Sequence, residues 1–217
     1  MSDLASDGVA KFFLKQKPRL YKKGQIVIHP DEPSNGIYYI EKGFVKAYSL
    51  TENGGEKCHI FFKTGEIFPL VAAFRNLGRN AFFETMDNTI IRKADKEEFM
   101  NYIKSSHLYL LDIIDRIIII LAAYVDRVDN LEYTKAYSRL IQRLLLMSER
   151  FGKEYNGSVI VEIPLTHKDI ANTISLTRET TSRELLKLEK KKLISQKGHI
   201  LVVNDIKKLR KELESSL

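Results

Sequence analysis

The chain has 217 residues, 44% of them hydrophobic, a formal net charge of +7 and one cysteine, Cys58. That length holds one large or two small domains with real cores, and one cysteine excludes an intramolecular disulfide and a four-cysteine iron–sulfur site within one chain. The longest apolar run, Ile117–Val125, is nine residues, too short to span a bilayer, and the first thirty residues carry no apolar signal core, so a cytoplasmic protein with no membrane partner is expected.

Residues 18–104 alternate short apolar runs with turn signals. Gln25–His29, Ile37–Glu41, Phe44–Leu50, Glu56–Phe62 and Thr89–Lys93 read as strands. Gly24, Gly36, Gly43, Gly55 and Gly65, with Pro30 and Pro33, punctuate them about every ten residues, the rhythm of a β-sandwich or barrel. Asn53-Gly54 signals a hairpin. Asp95 is a candidate N-cap for a short helix reaching about Ile103.

A long helix is predicted next, capped by Ser105 or Ser106. Leu110, Ile114, Ile117, Leu121, Tyr124, Val128 and Leu131 recur in steps of four and three, a coiled-coil seam three heptads long. Ile113, Ile118, Ile120 and Ala123 make a second side apolar. The seam predicts a homodimer rather than one buried helix in a monomer.

Thr134 marks a hinge. Lys135–Phe151 reads as an amphipathic helix with Leu140, Leu144 and Met147 on one face, and Gly152–Ile163 as a turn and a strand ended by Pro164. Thr166-x-x-Asp169 opens one short helix as a capping-box-like start, and Thr177 caps a second. Ile194–Val203 reads as a hairpin turning at Lys197-Gly198, and Asn204 or Asp205 caps a last helix. A helix–turn–helix followed by a hairpin is a winged helix. The predicted organisation is therefore α+β: an N-terminal antiparallel, jelly-roll-like β-roll over 1–104, a long central dimerisation helix over 105–134, and a C-terminal winged helix–turn–helix over 135–217.

The charge is divided unevenly. Residues 1–134 hold 18 Lys+Arg against 18 Asp+Glu, and residues 135–217 hold 17 against 10, so the whole excess lies in the C-terminal part. That is the footprint of a polyanion binder. On a helix starting near Arg178, the side chains of Arg178, Glu179, Ser182 and Arg183 form one N-terminal patch, while Leu185, Leu186 and Leu188 face the core with Ile170. Arginine can take guanine O6 and N7 bidentately, and a carboxylate can accept from cytosine N4, so Arg183 and Glu179 suit the two members of one G·C pair. Thr177, Thr180, Lys168, Lys187 and Lys197 sit where phosphate contacts are expected. Ordinary surface ion pairs are the competing reading of Arg178, Glu179 and Arg183. The short turn, caps, wing and local charge favour double-stranded DNA.

Thr-Arg-Glu-Thr-Thr-Ser-Arg (177–183), preceded by Lys-Asp-Ile-Ala (168–171) and followed by Leu-Ile-Ser (193–195), resembles the helix–turn–helix of the Crp/Fnr superfamily of bacterial transcription regulators. Lys-Gly-Gln (23–25) and Ile-Tyr-Tyr-Ile-Glu-Lys-Gly-Phe-Val-Lys (37–46) resemble that family's cyclic-nucleotide-binding-type β-roll. The likeness covers nearly the whole chain in family order. It implies base contacts by Arg178, Glu179 and Arg183, a serine at 182 as in nitrate- and oxygen-type members, half-sites with a TGA core, phosphate contacts by Thr177, Thr180 and Lys197, and RNA polymerase as a partner.

The sensory region departs from the family's cyclic-AMP pattern. Pro69-Leu70 stands where the second Gly-Glu belongs, Arg79-Asn80-Ala81 is a partial echo of the arginine motif, and Tyr124-Val125 replaces the adenine-reading Thr-Ser pair. An anionic phosphate needs charge and backbone donors. Cyclic AMP is therefore not expected as effector, nor an iron–sulfur cluster, nor haem through Cys58, His59 or His29, since Cys58 and His59 face opposite sides of a strand. Phe68, Leu70, Arg79 and Tyr124 are the candidate pocket for an unknown small-molecule effector. The phenylalanines at 61, 62, 68, 74, 82 and 83 can line such a pocket or fill the roll core. No metal site is expected, because the histidines at 29, 59, 107, 167 and 199 show no ligand spacing. No nucleophile–base pair or phosphate loop appears, so an enzyme is not expected. Two rival readings are a non-specific architectural DNA binder and a ligand-binding module that controls a partner protein.

Overall fold

The computed structural model describes residues 3–30, 36–70, 74, 81–130, 133 and 135–216. The chain divides into two compact units, Met1–Gly55 with His59–Ala123, and Glu56–Cys58 with Tyr124–Leu217.

The first unit is built on two four-stranded sheets. One has the order β1 (Pro18–Tyr21), β8 (Thr89–Asp95), β3 (Gly36–Lys42), β6 (Ile67–Phe68). The other runs β2 (Ile26–Ile28), β7 (Phe82–Thr85), β4 (Phe44–Leu50), β5 (Glu56–Lys63), the first three residues of β5 belonging to the second unit. The β1–β8, β3–β8, β3–β6, β2–β7 and β4–β7 pairings are antiparallel. The five predicted strands all form, with ends shifted by one or two residues. Strands β1, β6 and β7, of four, two and four residues, escaped the sequence reading because runs that short show no alternation. At Asn53-Gly54 the β4–β5 turn closes with Thr51 N–H donating to the Gly55 carbonyl at 2.7 Å, and Gly54 supplies the positive φ of +73°. Between the sheets, Phe68 stacks on Tyr38 and Phe83 with centroids at 5.4 and 5.2 Å, and Phe62 tilts against it. Thus Phe62, Phe68 and Phe83 are roll core, whereas Phe74 is exposed.

Helix α1 (Asp3–Leu14) was not foreseen. It buries Val9, Phe12 and Phe13 in one cluster with Ile37, Ile67, Leu70, Phe99, Ile103 and Ile113. Gly8 lets it lie close: a Cβ there would fall 2.4 Å from the Tyr109 ring, which stacks on Tyr102, whose hydroxyl donates to the Gly8 carbonyl. Helix α2 (Lys96–Lys104) begins where expected, the Asp95 carboxylate accepting from the Glu97 and Glu98 amides. Helix α3 (His107–Asn130) follows, with Ser106 Oγ accepting from the Leu108 amide. No helix among the described residues is long and apolar enough to cross a membrane.

The second unit places α4 (Ala136–Phe151), α5 (His167–Ile174), α6 (Arg178–Lys190) and α7 (Ile206–Ser216) with a sheet of order β11 (Ile194–Lys197), β12 (Ile200–Val203), β10 (Ser158–Val161), β9 (Gly152–Tyr155). The segment read as one turn and one strand is a hairpin through Asn156-Gly157, both at positive φ. Leu140, Ile141, Leu144, Ile170, Ile174, Leu185, Leu188 and Leu209 form its buried interior. Thr134 and Leu131, the expected hinge and last seam residue, lie outside the described residues.

Candidate nucleic-acid interface and effector cleft

The turn between α5 and α6 is three residues, Ser175-Leu176-Thr177. Ser175 takes the left-handed conformation (φ 54°) and its amide returns to the Ala171 carbonyl, which stops α5. At the start of α5, Thr166 and Asp169 make both halves of a capping box. Thr177 then caps α6, accepting from the Thr180 amide at 3.1 Å and donating to Thr180 Oγ at 3.0 Å. These caps fix where α6 begins, and so fix which side chains crown its N-terminus.

Arg178 and Glu179 are exposed, and their side chains make no hydrogen bond or ion pair among the described residues. Arg183 is exposed, but its Nε donates to Glu184 Oε1 at 3.2 Å, which leaves the two terminal nitrogens of the fork facing solvent. Glu184 is buried, and its other oxygen accepts from Lys187 Nζ at 2.7 Å. Ser182 is half-buried, its Oγ 2.7 Å from Nδ1 of His167. The Nε2 of that ring is 2.9 Å from Gln196 Oε1 on β11. Neither Glu184 nor His167 was singled out from the sequence. Glu184 was findable: Thr181, Glu184, Leu185 and Leu188 are spaced as one helix face, and that is the buried face. Leu186, expected in the core, is instead 54% exposed, because it projects one residue step off that row.

Among the phosphate candidates, Lys197 is exposed at the wing and Lys168 pairs with Glu56. The hydroxyl of Thr177 is engaged in capping. Lys187 and Lys191 lie over the Tyr137 ring at 5.9 and 5.4 Å. The Tyr137 hydroxyl donates to Glu212 at 2.8 Å, and burial together with that carboxylate pushes its pKa up to about 12. Lys191 holds Glu212 below the usual carboxylate range. This cluster anchors the C-terminal end of α6 to α4 and α7.

Helix α3 presents a long apolar surface. Of the predicted seam, Ile114, Leu121 and Val128 are exposed, Tyr124 is half-buried, and Leu110 and Ile117 are at the margin with 37% and 40% exposed. The most outward row is Leu111, Ile114, Ile118, Leu121, Val125 and Val128, again in steps of three and four, with Leu111 and Ile118 each 55% exposed. Ile113 and Asp112 are buried on the opposite side.

In the first unit a cleft of about 300 Å³ opens between the β5–β6 turn and the first half of α3, lined by Gly65, Glu66, Leu70, Asp112, Arg116 and Ile120 among others. Arg116 spans it, donating to Asp112 Oδ2 at 2.9 Å and to the Gly65 carbonyl at 2.7 Å. Of the predicted effector residues, Leu70 lines this cleft, Phe68 is in the roll core, Tyr124 is not part of the lining, and Arg79 lies outside the described residues. Cys58 is buried, and the adjacent His59 pairs with Ser49. Among the described residues no group of three or more His, Cys, Asp or Glu could hold a metal ion.

Residues 18–106 match the family model of the cyclic nucleotide-binding domain, and residues 138–212 match that of the Crp-like helix-turn-helix domain. A CRP-like cAMP-activated global transcriptional regulator of Mycobacterium tuberculosis is 22% identical over 205 residues, covering 93% of this chain and 90% of that protein. A global nitrogen regulator of Synechococcus elongatus is 23% identical, covering 86% and 85%. The structure of a CooA double mutant from Carboxydothermus hydrogenoformans superposes with a TM-score of 0.77 at 21% identity, covering 94% and 90% of the two chains.

Proposed function

We propose, on the premise that the chain belongs to the Crp/Fnr family of transcription regulators, that it works as a homodimer reading an inverted repeat with TGA-core half-sites. Its family consists of regulators, not enzymes. The observation that carries the reading is the crown of α6, where Arg178, Glu179 and the free fork of Arg183 stand exposed on a helix end fixed by two caps. The reading places base contacts at Arg178, Glu179, Ser182 and Arg183, and phosphate contacts at Thr180, Lys187 and Lys197, with Lys168 exchanging Glu56 for a phosphate. The outward apolar row on α3 supports pairing with a second copy, whose two-fold axis would set the recognition helices about 34 Å apart. RNA polymerase is the machinery such a regulator acts on.

The signal we assign to the cleft beside Arg116 is a small molecule other than cyclic AMP. A cyclic phosphate needs a charge partner and backbone donors. At the position of the family's phosphate-binding Gly-Glu, this chain has Pro69 and Leu70, and Leu70 is packed into an apolar cluster. The residues present do not fit the nucleotide, and neither a cluster nor haem is proposed. Selection from random duplexes tests the reading: enrichment of TGA-containing palindromes is expected, and salt-sensitive binding with no sequence preference would sink it. Arg183→Ala should cost about 1–3 kcal/mol and relax one G·C pair. Millimolar cyclic AMP should leave the melting temperature unchanged.

A further inference from the structure

The His167 ring joins three elements of the winged helix. It sits at the first position of α5, its Nδ1 is 2.7 Å from Ser182 Oγ on α6, and its Nε2 is 2.9 Å from Gln196 Oε1 on β11. For the neutral ring, with the Gln196 amide oxygen facing Nε2, proton inventory gives the direction of both bonds. An amide oxygen only accepts, so Nε2 carries the ring proton and donates to Gln196. A neutral imidazole has one N–H, so Nδ1 is left with a lone pair. The Ser182 hydroxyl has a single proton and donates it to that lone pair. What Ser182 keeps for an outside partner is oxygen lone pairs alone.

We propose that His167 is a specificity-determining positioning residue that makes Ser182 an obligate hydrogen-bond acceptor. This rests on the reading of α6 as the helix that enters the major groove. In that groove the base-edge donors are the amino groups of adenine and cytosine, while guanine and thymine offer only acceptors beside the thymine methyl. A serine free to rotate suits either class. A serine tied to His167 suits adenine or cytosine and leaves an unpaired acceptor against thymine O4 or guanine O6. The wing takes part, because Gln196 sets the ring tautomer. One strand away from the DNA-reading helix, an amide therefore chooses which bases that helix accepts.

The test is half-site selection with the full-length chain and its variants Ser182→Ala, His167→Phe, His167→Asn and the double variant His167→Phe/Ser182→Ala. In the wild type, one half-site position is expected to favour, by about tenfold, the base-pair orientation that puts adenine or cytosine on the strand Ser182 faces. Ser182→Ala should abolish that preference. His167→Phe, which keeps ring volume, should relax the same position and leave every other position as in the wild type. The double variant should match the single ones. His167→Asn, which puts a carboxamide near Nδ1 without reaching Gln196 and can accept from Ser182 or donate to it, should give a preference between those of the wild type and His167→Phe. The proposal is overturned if His167→Phe weakens all sequences uniformly, if its effect adds to that of Ser182→Ala, or if Ser182→Ala leaves every half-site position as in the wild type. Wild-type protein that enriches no sequence overturns both this proposal and the DNA reading beneath it, whereas the other failures leave specific binding intact.

Discussion

Replacing Leu121 by alanine tests the pairing of α3 most directly, because Leu121 belongs both to the sequence seam and to the row that points furthest outward. Its side chain is 60% exposed in the single chain. Fully burying a leucine is worth about 1.5–3 kcal/mol, so covering the exposed part is worth about 1–2 kcal/mol. A two-fold dimer contains the residue twice, so the variant should lose about 2–4 kcal/mol, a rise in dimer dissociation constant of about 30- to 700-fold. Sedimentation equilibrium across a concentration series reads that constant without DNA. The 24-residue helix is about 36 Å long, enough for three heptads of contact with a twin. Ile118→Ala against Ile117→Ala then locates the seam, and the exposures of 55% and 40% predict at least as large an effect at 118. A dissociation constant unchanged within threefold by Leu121→Ala, or a wild type monomeric at high micromolar concentration, would refute the reasoning.

Three other substitutions probe α6 and its anchor on α4. Glu184→Gln keeps the shape of a buried side chain but removes its charge. Its cation partners are exposed and can rehydrate, so stability should stay within about 1 kcal/mol, while the one acceptor oxygen left to glutamine is shared between Arg183 and Lys187 and the anchor of the Arg183 fork is weakened. Binding to the selected site should fall about five- to tenfold, the loss concentrated at one G·C pair; fluorescence anisotropy on matched and mismatched duplexes checks it. Thr181 Oγ is buried and has no hydrogen-bond partner among the described residues, so Thr181→Val should raise stability by about 1 kcal/mol in urea unfolding. Tyr137 has its pKa raised from 10.0 to about 12, so the stabilisation from its protonated form is fully present below pH 10 and lost as pH climbs toward 12. The urea midpoint of the wild type should drop across that interval, and the difference from Tyr137→Phe should shrink with it.

Much of this fold could be read from periodicity and caps. The Asp95, Thr166 and Thr177 caps stand where side-chain chemistry puts them, because each satisfies backbone amides that a helix start leaves unpaired. The strands from Gly36 to Lys63 carried enough β-branched and aromatic residues to be recognised. What escaped depended on partners far away in sequence. Strand β6 is two residues long and exists because β3 offers it a ladder. Helix α1 carries a glycine at position 8, unfavourable for an isolated helix, and is held by Ile37, Ile67 and Phe99.

The candidate interface shows the same limit in sharper form. Residue type and spacing bring Arg178, Glu179, Ser182 and Arg183 to one helix end, since that needs only local geometry. What each can offer DNA is set by groups behind them. Glu184 sits on the buried row because the row is defined by its spacing from Thr181, Leu185 and Leu188, and a carboxylate there orients Arg183 instead of competing with it for bases. The place of His167 between Ser182 and Gln196 follows from tertiary packing alone, which its spacing in the sequence does not show. Two helices with identical crowns but different residues at 167 and 184 would therefore present different hydrogen-bonding faces to the same groove. On the proposed reading, half-site preference is a property of the polar layer under α6 as much as of the helix surface.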